Sequence, residues 1–204
     1  MKLNRDAVQR QLSGAKVALD KCILKLNAGD FDNEAPLVMA VNFEQMLYHL
    51  CLAWHFQFRT EDELSRRTSE EYIDLSNRVP NFGFNLTLMS GIDREGGRFE
   101  TKFNRQAVRK QLGEALLALQ KCQQKTETGA YDADGPLAIA ADFQHVLLHL
   151  CLAWHFKDMT HEQIQALTQQ EFDHLAQTVP NFGFQLKLMS GIDPEGLTDA
   201  HGNL

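Results

Sequence analysis

Asp142, His145 and His149 are residue types that bind first-row metals. On a helix, offsets of three and seven place them within about 60° of arc, so one ion could meet all three. A carboxylate with two imidazoles suits a divalent transition metal such as zinc, iron or manganese. One hundred residues earlier the same positions hold Asn42, Gln45 and His49, and amides are weak ligands for such ions. Three ligands on one helix cannot surround an ion, and His174 is a candidate fourth, where the earlier stretch has Asp74. The preferred reading of this stripe is nonetheless a solvated or interfacial polar face. His49 and His149, common to both stretches, stand as candidate ligand-binding residues.

A second constellation pairs Cys51 with His55, four residues apart, and Cys22 lies where it could approach them. Cys122, Cys151 and His155 repeat the pattern. Each set is three-quarters of a zinc site, but without the close CxxC spacing of zinc-binding sequences. The simpler reading makes the cysteines small hydrophobes on apolar faces and His55 a helix-end histidine. Nucleophilic catalysis has little support. No GxSxG is present, Ser90 has no base near it in sequence, and a thiol buried like Cys51 is usually inert. Neither GxGxxG nor GxxxxGK[ST] occurs. No catalytic constellation is complete, so whether the chain is an enzyme stays open.

These residues sit in a repeated sequence. HLCLAWHF at 49–56 recurs at 149–156, and residue n matches residue n+100 at 47 of 100 positions without a gap. Two units follow, residues 1–100 and 101–204. In each, a first helix over about Asn4–Leu26 carries an apolar stripe, Val8, Leu12, Ala15, Leu19 and Cys22, repeated at +100. GDFDNEAP and GAYDADGP interrupt the chain, and a second helix starts near Pro36. Its stripe of Pro36, Ala40, Phe43, Leu47, Leu50 and Trp54 recurs in full, and both tryptophans are expected in the core. Thr60–Glu63, Thr160–Gln163, Thr68–Glu71 and Thr168–Glu171 fit capping boxes, predicting two short helices per unit.

VPNFGFNLTLMSGID and VPNFGFQLKLMSGID alternate apolar and polar residues as a short strand or extended arm does. Asn81 and Asn181 head these arms and are candidate ligand contacts, although an arm covering the helices with its phenylalanines is preferred. The fold class is mainly α: a tandem duplication of a ~100-residue helical unit forming a pseudo-twofold bundle, with one short strand per repeat. The two octets are expected to be the densest part of the interface between copies. Histidines on such a helix resemble those of DinB-like metal-binding proteins. That resemblance covers little more than this helix and includes no counterpart of the family's later histidine pair, so membership does not follow.

Composition narrows the function classes. The 204 residues are 44% hydrophobic and 23% charged, with a net charge of -7. No basic run or stripe exists for phosphate contacts, so nucleic acid is not an expected partner. The opening residues lack an apolar signal-like stretch and no uninterrupted run reaches the ~20 residues of a membrane span, so the expectation is no membrane partner and a cytoplasmic location. The four cysteines read as reduced thiols. The expected function is that of a non-enzymatic binding or scaffolding protein for a protein or small-molecule ligand, acting as a pseudo-symmetric monomer or a higher oligomer. The alternative is a metalloprotein or metal-dependent enzyme with its divalent transition metal at Asp142, His145 and His149.

Overall fold

Asn4 accepts a hydrogen bond from the Ala7 amide and so starts helix α1, Arg5–Ala28. Gly29, with φ 90°, ends it, because only glycine enters the left-handed region without strain. A computed structural model of the chain describes residues 3–72 and 103–177. Within it α2 spans Phe31–Phe56 and α3 Glu61–Ser65. In the second copy α4 spans Arg105–Thr128, α5 Ala130–Asp134, α6 Pro136–Phe156, α7 His161–Gln165 and α8 Gln169–Gln177. The protein is mainly helical, with no strand among the described residues. Both arms, with Asn81 and Asn181, lie outside the described residues.

The two copies use the same local devices. Asn104 caps α4 through the Ala107 amide, as Asn4 caps α1, and Gly129 with φ 75° closes it. The Asn4 backbone N–H donates to the Gln57 carbonyl at 2.7 Å and that of Asn104 to the Lys157 carbonyl at 2.8 Å. Each long hairpin is therefore latched at its open end. Thr60–Glu63 and Thr160–Gln163 form complete capping boxes, and the bonds expected of Thr68–Glu71 and Thr168–Glu171 are also present. One boundary differs. The second long helix begins at Pro136 behind Gly135, whose φ of 76° breaks the chain, whereas Ala35 stands there in the first copy and α2 runs on from Phe31.

Every stripe residue of the first helices is buried: Val8, Leu12, Ala15, Leu19 and Cys22, and their partners at +100. α1 packs along α2 and α4 along α6. The copies join through α1 and α4, which also pack on each other, and not chiefly through the octets as the sequence suggested. Gln9 bonds Glu127 at 2.7 Å and Gln123 bonds Ser13 at 3.4 Å, which sets the two helices antiparallel. Arg5 binds Asp132 across the same seam, and the Phe31 and Phe103 rings meet edge to face at 6.0 Å. One cluster of buried apolar side chains spans both copies and includes Phe43, Leu47, Leu50 and their equivalents.

One helix among the described residues, Leu137–Phe156, is long and apolar enough to cross a membrane, with 56% of that window buried inside the protein. Its apolarity follows from its central place against α4 and α8.

Candidate functional site

His49 and His149 each lean on the first helix of their own copy. Nδ1 of His49 lies 2.9 Å from Oε1 of Gln11, and Nδ1 of His149 lies 2.8 Å from Oε1 of Gln111. An amide oxygen accepts, so Nδ1 carries the proton and Nε2 keeps its lone pair. Burial lowers the pKa of His49. It does the same for His149, assisted by the His145 charge and opposed by Glu114. Both rings are therefore biased towards the neutral form.

What surrounds the shared histidine differs. In the first copy α1 carries Gly14, and a Cβ there would lie 2.5 Å from the His49 ring, so the ring occupies space that any other residue would fill. In the second copy that position is Glu114. On the helix with the histidine, Gln45 is replaced by His145, whose ring centre lies 4.9 Å from that of His149.

Asp142 is held from another direction. Its carboxylate accepts from Lys125 at 2.6 Å and from the Tyr131 hydroxyl at 2.9 Å, and pairs with Lys121 at 3.3 Å. Burial alone would push this carboxyl up; the bonds from Lys125, Tyr131 and Lys121 outweigh it and hold the group below the usual aspartate range. Burial and the neighbouring Cys122 and Asp142 raise the Tyr131 hydroxyl well above its ordinary pKa, so it stays a donor. The first copy keeps Lys21 and Lys25 but has Phe31 and Asn42. The tyrosine and the aspartate thus occur together.

Beside these groups lies a cavity of about 190 Å³ lined by Glu114, Leu117, Ala118, Lys121, Asp142 and His145. The sequence reading placed Asp142 and His145 there but missed Glu114, Lys121, Lys125, Tyr131 and Gln111. A position-by-position comparison of the copies would have flagged Glu114 and Tyr131, since each changes alongside a helix-2 residue.

The predicted gathering of Asp142 with both histidines is not what the side chains make. His145 and His149 are adjacent, Asp142 is engaged by lysines and Tyr131, and among the described residues no three His, Cys, Asp or Glu side chains are placed to hold one ion. The same holds for the Cys22, Cys51 and His55 set. All four cysteines are free and buried. Burial pushes the Cys22 and Cys122 thiols up to about 12, so they remain protonated and poor nucleophiles. The side chain of His174 lies outside the described ones.

No protein-family model, curated protein or solved structure matches the chain.

Proposed function

We propose that the chain is a non-enzymatic binding protein made of two duplicated helical copies related by a pseudo-twofold axis, the first serving as scaffold and the second holding a small polar ligand. The observation that carries this reading is the cavity at Glu114, Lys121, Asp142 and His145. At three of those four positions the first copy has an uncharged residue, namely Gly14, Asn42 and Gln45. A volume of about 190 Å³ is below the roughly 300–1,000 Å³ of pockets for drug-sized molecules and cofactors. Two carboxylates, one ammonium group and an imidazole share its wall, which suits a small zwitterion or hydroxy acid. Asp142 is neutralised by its lysines and Tyr131, and the Cys22 and Cys122 thiols are protonated, so none of these groups is poised as a nucleophile.

The test is thermal unfolding of the full chain against a panel of small amino acids and carboxylic acids. A ligand at a hundred times its Kd stabilises by about 2.7 kcal/mol, which is readily seen as a rise in Tm. The triple variant Glu114→Gly, Asp142→Asn, His145→Gln installs the first copy's residues on the second and is expected to fold but not respond. Equal stabilisation of wild type and variant would place the ligand elsewhere.

A further inference from the structure

We infer that the ligand of the second copy is a linear amino acid, with its ammonium against Glu114, its methylenes over Leu117 and Ala118, and its carboxylate against Lys121. The inference rests on the reading that this cavity holds a small polar ligand, and it names the class of that ligand.

The wall is ordered along α4. Glu114, Leu117, Ala118 and Lys121 stand three, four and seven residues from the first of them, so they form one row on one helix face. The row runs from an acid through two apolar side chains to a base. Packing against α6 keeps the two ends apart. Gln111, one turn before Glu114, meets His149 at 2.8 Å, while Lys121 and Lys125 meet Asp142 at 3.3 and 2.6 Å. His145 comes between Asp142 and His149 on α6 and lines the same cavity.

Charge fixes the direction in which the ligand lies. Asp142 is already satisfied by Lys121, Lys125 and the Tyr131 hydroxyl, so Glu114 is the carboxylate left to attract a cation. Lys121 gives one contact to Asp142 and keeps further N–H donors for an anion. Glu114 and Asp142 balance Lys121 and Lys125, so a zwitterion leaves the corner neutral. Between the charged ends Leu117 is 61% exposed, and methylenes lying on it remove apolar surface from water.

Spacing sets the length of the ligand. Seven residues of helix rise about 10.5 Å. Ion pairs of roughly 3 Å at each end leave a gap that suits an ammonium and a carboxylate held apart by about two to four methylenes. An α-amino acid carries both charges on neighbouring carbons and reaches only one end. The first copy repeats the row with Val17, Ala18 and Lys21, but Gly14 replaces the acid and the His49 ring fills the space above it. It has no seat for the ammonium, so the site occurs once per chain.

The experiment is calorimetric titration of the full chain with glycine, β-alanine, γ-aminobutyrate, δ-aminovalerate and ε-aminocaproate. Their α-amino isomers and the plain amines and carboxylates of equal length are titrated beside them. Affinity is expected to rise by up to about fourfold per methylene to an optimum within the series, then to fall. The α-isomers and singly charged analogues bind at least about fivefold more weakly than the best linear member. Glu114→Gln, an exposed change, no longer distinguishes that member from the plain carboxylate, and Lys121→Met no longer distinguishes it from the plain amine. Binding of α-isomers as tight as that of the linear series, or undiminished binding by Glu114→Gln, would overturn the linear ligand. Organic ligands that still stabilise wild type but not the triple variant would leave the binding-protein reading intact in that event. Wild type that binds none of these compounds and none of the wider panel would overturn both.

Discussion

The two copies share helix caps, latches and apolar stripes, yet two residue pairs on each long hairpin distinguish their polar corners. In the first, His49 packs over Gly14, and Phe31 and Asn42 complete a buried corner. In the second, Glu114 and His145 flank His149, and Tyr131, Lys121 and Lys125 surround Asp142. A carboxylate as shielded as Asp142, whose side chain is 13% exposed, requires donors, and Lys121 and Lys125 supply two of them. Tyr131, where the first copy has Phe31, is a third donor. The corner that Phe31 and Asn42 occupy in one copy is thus a charged one in the other, where Tyr131 also sits on a separate short helix ahead of Gly135.

The sharpest contrast concerns the tryptophans. Trp54 is 5% exposed within the core, so Trp54→Ala should cost about 3–5 kcal/mol in chemical denaturation. Trp154 is only partly buried, with the Lys157 ammonium 4.2 Å from its ring centre, so Trp154→Ala should cost distinctly less. Equal losses would mean the copies pack alike around this position. Next in size is Asp142→Asn, expected to cost about 2 kcal/mol at neutral pH through loss of charge-assisted bonds. Because the folded carboxyl is held below its ordinary pKa, its contribution is complete above about pH 4 and is lost as pH falls through the lower folded value. The wild-type stability curve should therefore decline more steeply in acid than that of the variant. Parallel curves would show that Asp142 carries no such linkage.

The smallest effect separates two glycines inside the first helices. A Cβ at Gly113 meets nothing within 4 Å, so Gly113→Ala should add about 0.5–1 kcal/mol through helix propensity. At Gly14 the same gain is offset by displacement of the His49 ring from Gln11, leaving no net stabilisation. Thermal melts of the two variants decide it, and a stabilised Gly14→Ala would show that the His49–Gln11 pair contributes nothing.

Local features were legible because their causes are local. The 3.6-residue period marked Val8, Leu12, Ala15, Leu19 and Cys22 as one face, and all are buried. Thr60 and Thr160 announced capping boxes that need only three neighbouring residues. Gly135 and Ala35 show the limit of that logic. Both copies read alike around the proline, yet only the glycine can take a positive φ, so only the second copy breaks there.

Which stripe meets which was not legible. The octet is apolar around most of its turn and looked like the interface between copies, but α1 and α4 form it, with small side chains such as Ala18 buried beside the larger ones. Periodicity states that a face is apolar and says nothing of the partner it fits. That depends on shape across the assembled helices. The site divides in the same way. His145 and His149 were visible because four residues of one helix bring them together. Glu114, Lys121 and Lys125 come from another helix and Tyr131 from a third, and only tertiary packing brings them to that corner. Sequence alone determined the mainly helical character, the capping boxes and the histidine pair. The packing of α4 on α6 decided that Asp142 answers to lysines and that Glu114 stands beside the histidines, since convergence between helices is set by the burial of the whole core.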